Sequence, residues 1–470
     1  MIDLKGARES VSESDVTIVG AGIAGLGLSI LLSARGVSST ILERYPDPRR
    51  HLRGPLQSIN LALSHRGLRV LEMASALDEI RSLLVPMYGR MVHGPESDSF
   101  QPYDFDEKAA VFSVRREAIV NSLSNQARKS GRVKIVFSCA CTFINLGTKT
   151  LSLEDSMGNR SQVAFKRLIG TDGCRSIVRQ AIESEMSSGH SSIQCLDHGY
   201  KELELDPEVT VNLQLHPHAL HIWPGGEFML IALPNPDGSF TATLFMPRMG
   251  PDSFECLNSG SISELLTSHL PRHPELVPAL AKSFSRTPVG NIVTVSANRW
   301  HSGDTALVLG DAAHAIAPFF GQGMNCALED CRILSEAIEA GNDWHGIFDT
   351  FECGRKPDTE AISLLSRNNY VEMRRSVVEP HYLEKREIVR ILTQRYPEQF
   401  VPLYSMVAFT SIPYSLALRR HTIQDEIVET LCNPGYPIDF NLADRLVSER
   451  LSGLRAGCGS QAWLATAASV

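Results

Sequence analysis

The chain has 470 residues, 43% hydrophobic and 21% charged, with a formal net charge of −8. These values exclude a disordered or fibrous protein, and the acidic balance argues against a nucleic-acid surface as the main partner. The length is about three times that of an ordinary domain, so two or three units with a substantial core are expected. The ten cysteines form no CxxC pair and no zinc-like spacing, which implies packed thiols in a reducing compartment. The polar first ten residues lack a signal-peptide core, and no stretch approaches the roughly twenty apolar residues of a membrane span. A soluble, cytoplasmic protein without a transmembrane anchor is expected.

The first ordered stretch, Asp15 to Leu26, sets the organisation. Val16 to Val19 favours a strand and runs into Gly20, Gly22 and Gly25, after which helical character continues to Ala34 and Gly36 stops it. Gly20 permits the tight turn, Gly22 lets backbone N–H groups approach a pyrophosphate, and Gly25 lets the helix pack closely on the strand. A second strand, Ser39 to Glu43, ends on an acid at the distance where a βαβ unit delivers a carboxylate to a ribose hydroxyl. The pattern predicts a dinucleotide site at a helix N-terminus.

A polar, proline-punctuated loop follows from Arg44 to Pro55. Ser58 to Ser64 reads as a short strand, and Arg66 to Ile80 has helical spacing. Met87 to Phe105 reads as extended segments carrying Arg90, His93 and Tyr103, and Phe112 to Ile119 enters a further amphipathic helix. Strands are predicted at 133–137, 141–146, 150–153 and 162–165. Arg167 to Arg179 is again an apolar strand, a polar turn and a helix. From 184 to 290 alternation dominates, with 228–233 and 240–246 predicted as antiparallel neighbours joined through Pro236-Asp237-Gly238. Thr305 to His314 is a buried strand ending in a polar turn, Gly321 to Asn325 leads into a helix to Ala340, and the chain beyond Asp349 is almost entirely helical. The region after Arg450 loses periodicity and is expected to be a loosely docked tail.

Three segments thus share one logic, a hydrophobic strand delivering a small polar cluster: Gly20 to Gly25, Thr171-Asp172-Gly173 and Gly310-Asp311. In this order they resemble the triple GxGxxG, DG and GD pattern of the group A flavoprotein aromatic hydroxylases. Further strings, among them 58–67, 220–224, 239–247, 318–325, 369–374 and 400–406, are similar to the kynurenine 3-monooxygenase branch of that family. The resemblance spans about residues 15–415.

It implies an α/β fold: a Rossmann-like FAD-binding domain of the p-hydroxybenzoate hydroxylase type (12–85, 104–183 and 290–347), an interleaved β-sheet substrate domain (86–103 and 184–289) and a C-terminal helical region (348–450). It also implies non-covalent FAD, NADPH as reductant and O2 as co-substrate. Asp311 would hold the ribityl chain, Asp172, Gly173 and Arg179 would serve FAD and NADPH, and Arg116 would contact FAD from its helix. Ala24, Arg44, Ala62, Cys141, Gly310, Gly323, Met324 and Asn325 complete the implied cofactor set beside Gly20, Gly22, Gly25 and Glu43. Arg90, Tyr103, Asn369 and Tyr404 would grip the carboxylate of an aromatic amino acid, with Met229, Ile231, Leu233, Phe245, Phe319, Phe320 and Met373 around its ring. An Arg beside phenolic and amide donors suits an α-carboxylate in a dry pocket.

The implied reaction is hydroxylation of L-kynurenine at the 3-position through a flavin C4a-hydroperoxide, with no side-chain nucleophile and no metal. A modified kynurenine or related aromatic amino acid is the alternative substrate, and a redox-dependent interaction module is the alternative of another class. A flavin halogenase is disfavoured because the four tryptophans are isolated and WxWxIP is missing. A monomer or homodimer is expected. Gln57 stands where the family usually has Arg, and the preceding loop differs.

Overall fold

A computed structural model describes residues 4–49, 60–187, 189–257, 261–341, 343–374, 379–432 and 437–454. Gln57, Ser58 and the tail from 455 lie outside these residues. The chain divides into two compact units, Met1–Leu83 with Val114–Leu196 and Ile292–Ser363, and Leu84–Ser113 with Asp197–Asn291 and Leu364–Val470.

The first unit is built on a six-stranded sheet in the order His301–Ser302, Ala306–Val308, Leu168–Gly170, Val16–Val19, Ser39–Leu42, Val133–Val136. Only the first pair is antiparallel. The four central strands are buried at every position, which is why they read as unbroken apolar runs. Helix Ile23–Ala34 follows the first strand. A Cβ on Gly25 would lie 2.1 Å from the Gly20 carbonyl oxygen, so only glycine lets the helix meet the turn. Gly20 itself has φ 103, in the region that disfavours side chains.

Helix Gly323–Glu339 carries two acids into the interior of this unit. Glu329 lies 2.5 Å from Arg66 and 3.1 Å from Arg355, and Asp330 lies 2.9 Å from Arg355 and 2.5 Å from His314. All five side chains are buried, and the pairing holds both acids below the ordinary carboxylate range against the opposing effect of burial.

The second unit has the strand order Ser192–Leu205, Phe240–Pro247, Phe228–Pro234, Ala219–Gly225, Gly89–His93, Asp98–Pro102. All pairs are antiparallel except Ala219–Gly225 with Gly89–His93. The expected hairpin closes at Gly238, where the Asn235 N–H donates to the Ser239 carbonyl at 2.8 Å. One sheet face, through Trp223, Leu230, Ala232, Ala242 and Leu244, joins the core formed with helices Ser261–His269 and Leu276–Phe284. Beyond Leu364 the unit continues in the end of helix Trp344–Arg374 and in helices Pro380–Arg395, Leu403–Ala408, Tyr414–Leu431 and Phe440–Arg450. No helix among the described residues is long and apolar enough to cross a membrane.

Two sequence expectations change. The run from Arg66 to Ile80 is two helices, His65–Met73 and Leu77–Ile80. Ser75, at φ 53, closes the first of them with an Ala76 N–H to Leu71 carbonyl bond of 2.8 Å, a Schellman ending with serine where glycine is usual. Val111–Arg115 is a strand and the helix begins only at Arg116, because pairing with Val85–Met87 overrides the helical pattern.

Replacing Arg355 by Met would remove one partner from each of two buried carboxylates. Losing one partner of a buried pair costs about 3–5 kcal/mol. The Arg355→Met protein should show a lower denaturant midpoint, partly recovered by adding Asp330→Asn. An unchanged midpoint in the single variant would remove this network from the stability of the fold.

Candidate active site

In the first unit the three polar turns follow three adjacent parallel strands, Val16–Val19, Leu168–Gly170 and Ala306–Val308, and Glu43 follows the next strand over. This is the carboxyl edge at which open α/β sheets bind ligands. Hydrogen bonds tie the turns together. Thr171 Oγ1 donates toward the Val19 and Gly20 carbonyls at 3.0 and 2.9 Å, and the Ala21 N–H donates to Glu43 Oε2 at 2.8 Å. Arg179 Nη1 donates to the Ala312 carbonyl at 2.7 Å and Nη2 to the Cys174 carbonyl at 2.8 Å, so one guanidinium joins the DG turn to the GD turn. Its side chain has no exposed surface, so it braces these turns from behind.

Behind the GD turn, Asp330 Oδ2 accepts the Gly310 N–H at 3.0 Å. Asp311 remains accessible, and partial desolvation beside the Asp330 carboxylate raises its pKa against the opposing influence of His314 and Arg116. Arg116 is exposed in the first turn of helix Arg116–Lys129. Asp172 Oδ2 accepts the Ile177 N–H at 2.8 Å, whereas Oδ1 is buried without a hydrogen-bond partner. Burial raises the Asp172 pKa, and burial together with that carboxyl pushes the Cys141 thiol up to about 12. Cys141 is half-buried and is held as the neutral thiol.

Asn325 is fully buried, donating to the Ala62 and Gly321 carbonyls at 2.8 Å each and accepting the Ser64 N–H at 2.9 Å. It fastens strand Asn60–Leu63 to the helix that Gly323 and Met324 begin. Arg44 is exposed, with its guanidinium 5.9 Å from the Tyr45 ring, and Ala24 lies in the first turn of its helix. Phe319 and Phe320 are buried in a short 3-10 turn of the same unit.

FAD fits these residues on three observations. A Cβ at Gly22 would meet nothing within 4 Å, leaving open space before the helix N-terminus. Asp172 offers an unpartnered acceptor, and the Asp311 carboxylate is accessible at the start of the turn after the neighbouring strand. The donors suit a pyrophosphate and the carboxylates suit hydroxyls.

The second unit brings Arg90, Tyr103, Asn369 and Tyr404 together. Arg90 Nη2 is 3.5 Å from Asn369 Oδ1, and its guanidinium carbon lies 5.9 and 5.5 Å from the Tyr103 and Tyr404 rings, which stack at 4.4 Å. Strand register places Arg90 opposite Leu220, on the sheet face that also carries Ile222, Met229, Ile231, Leu233 and Phe245. That face lies opposite the one joining the core. Met373 is buried beside Asn369, whose Nδ2 is 3.3 Å from its sulfur.

Sequence reasoning missed Glu372. Its Oε1 is 3.3 Å from Arg90 Nη1 and accepts the Tyr382 hydroxyl at 2.8 Å. Burial opposes the Arg90 charge most strongly, but Glu372 together with Tyr382, Tyr103 and Tyr404 raises the pKa. Burial also raises both tyrosines, so the cluster is one fixed cation between neutral phenols. Helical spacing from Asn369 by three residues was the available signal for Glu372.

Fold and turns together define an FAD-dependent aromatic monooxygenase. The FAD binding domain family model matches residues 13–362. Solved structures share the fold: the tetrameric form of 2-methyl-3-hydroxypyridine-5-carboxylic acid oxygenase (TM-score 0.62, 22% identity, 78% of this chain and 95% of that one) and PqsL, a probable FAD-dependent monooxygenase from Pseudomonas aeruginosa (0.60, 19%, 77% and 97%). Among curated relatives, the kynurenine 3-monooxygenase of Myxococcus xanthus (strain DK1622) is 40% identical over 93% of this chain and 95% of its own length. That of Xanthomonas axonopodis pv. citri (strain 306) is 38% identical over 94% and 98%. The chain belongs to the kynurenine 3-monooxygenase family of flavin-dependent enzymes.

Asp311→Ala should leave the fold intact and lose flavin. FAD per chain after gel filtration, read from the flavin absorbance, checks this, and full occupancy would remove Asp311 from the cofactor site.

Proposed function

We propose that the protein hydroxylates the aromatic ring of L-kynurenine at the 3-position, with NADPH as reductant and O2 as the oxygen source. The observation that carries this reading is the juxtaposition of Arg90, Tyr103, Asn369 and Tyr404 with Glu372 in the second unit. An α-amino acid presents a carboxylate and an ammonium on one carbon. Arg90 takes the carboxylate with the phenols and the amide, and Glu372 takes the ammonium, so the receptor matches the zwitterion. The apolar face of Met229, Ile231, Leu233 and Phe245 takes the ring and excludes water. Bound FAD supplies the redox chemistry, accepting electrons from NADPH and activating O2 for transfer of one oxygen atom.

The chain's own contribution is placement. Anchoring both charges at one end fixes how far the ring reaches, and a misplaced ring leaves activated oxygen without a carbon partner. A ring-substituted kynurenine presents the same zwitterion, so a panel of kynurenine, 4-methyl and halogenated kynurenines, anthranilate and quinaldate separates the candidates. Hydroxylated product is scored apart from H2O2.

A hydrogen bond to a charged group contributes about 1.5–3 kcal/mol, and 1.4 kcal/mol is about ten-fold in affinity. Arg90→Ala should therefore weaken substrate binding at least about ten-fold and raise the ratio of H2O2 to product. Arg90→Lys should recover part of the loss, because it keeps the charge without the planar fork. Substrate Kd by flavin absorbance titration and the product ratio check this in protein of unchanged flavin content. If Arg90→Ala altered neither, the amino-acid reading would fall.

A further inference from the structure

The sheet face opposite Arg90 carries a second polar cluster. His93 stacks on Trp223 at 4.3 Å and its Nε2 is 2.8 Å from His221 Nδ1. His221 Nε2 is 3.0 Å from the His216 carbonyl oxygen. A carbonyl only accepts, so His221 carries its proton on Nε2 and presents a lone pair at Nδ1. His93 must donate to that lone pair from Nε2. The neutral His93 then presents a second lone pair, at Nδ1, to Asp98 Oδ2 only 3.1 Å away. Two acceptors at that distance require a proton or a metal ion between them.

A proton could bridge His93 and Asp98, but it would leave a third group unanswered. His273 Nε2 is buried, has no hydrogen-bond partner and lies 3.8 Å from Asp98 Oδ1. His93 Nδ1 is likewise buried without a hydrogen-bond partner, and His93 is more than nine-tenths buried. The ligand atoms of His93, Asp98 and His273 all lie within 4.8 Å of one another. In a tetrahedral zinc site with ligand bonds of about 2.0–2.2 Å, neighbouring ligand atoms sit about 3.4 Å apart. The 3.1 Å between His93 Nδ1 and Asp98 Oδ2 is close to that value, and His273 Nε2 reaches the same carboxylate group at 3.8 Å from its Oδ1.

We propose that His93, Asp98 and His273 form a binding site for a divalent transition cation of the Zn2+ type. Two imidazoles and one carboxylate form a donor set that suits Zn2+ and disfavours Ca2+ or Mg2+. Asp98 is exposed, so the ion enters from solvent and keeps water as its fourth ligand. Arg272 Nη1 occupies Asp98 Oδ1 at 2.5 Å and also donates to the Gly94 carbonyl at 3.0 Å. It orients the carboxylate with Oδ2 toward His93, as outer partners of metal ligands do. The His221 and His216 chain fixes the His93 tautomer in the same way. The ligands come from positions 93, 98 and 273, so no spacing along the chain announces the site, and the sequence reading expected no metal.

The test uses the tag-free holoenzyme, stripped with a chelator and titrated with ZnCl2 by calorimetry, with bound zinc measured after gel filtration. One Zn2+ per chain is expected, weakened at least about ten-fold by Asp98→Asn and by His273→Gln. Flavin content and metal-free melting of both variants should match the parent. A cobalt titration of the unmutated protein, read to the red of the flavin band, should give the absorption of a tetrahedral nitrogen and oxygen site, and it decides the matter if a variant fails to fold. Absence of saturable zinc binding, parental affinity in both variants, or absence of the cobalt bands would overturn the proposal.

Discussion

The cofactor side of this molecule depends on the buried carboxylate of Asp330. It accepts from the Gly310 N–H, from His314 and from Arg355 at once, and so fixes the GD turn from behind. Arg179 carries that constraint from the Ala312 carbonyl to the Cys174 carbonyl, and Thr171 carries it on to the Val19 and Gly20 carbonyls. Three turns separated by more than a hundred residues become one rigid rim. An isolated buried ion is costly, and a fully paired one specifies a single arrangement. Here that arrangement leaves Asp311, next to the fixed Gly310, accessible.

This explains which parts of the site were legible in the sequence. Gly20, Gly25 and Glu43 act through local backbone geometry, and local geometry leaves local traces: a β-favouring run, a turn that only glycine fits and an acid at the end of the next strand. The alternation of Phe228–Pro234 and Phe240–Pro247 is equally local, and the hairpin formed as read. Asp330, His314 and Arg355 leave no such trace, because each is defined by a partner on another element. The helix expected from Phe112 failed for the same reason, since a distant strand, Val85–Met87, holds 111–113 extended.

Asn325 and Glu372 show two degrees of this difficulty. Asn325 stands in a helix-entry string that suggests a ligand, yet its amide engages the Ala62 and Gly321 carbonyls and the Ser64 N–H, and Gly67 leaves room for it. A Cβ on Gly67 would come within 2.5 Å of Asn325 Oδ1, so the two positions constrain each other across the unit. Glu372 lies one helical turn from Asn369, and that spacing alone says nothing of charge balance. Only the position of Arg90 on the sheet turns an ordinary helix acid into the counter-charge of a buried cation.

The second unit uses the two-residue period of a single strand to keep two polar sites apart. Arg90 and Val92 face one side of the sheet, and Met91 and His93 face the other, so a grip for a zwitterion and a histidine cluster share five residues without sharing a face. Such an arrangement requires a register that cannot slip, because a shift of one residue would put Met91 in the place of Arg90 and Gly94 in the place of His93. Gly89 supplies that constraint. A Cβ there would stand 2.5 Å from the Gln101 carbonyl oxygen and 2.7 Å from the Phe100 ring, so no neighbouring residue of the strand can take its place. The strand is locked at its first residue, and the chemistry on both faces follows from that lock.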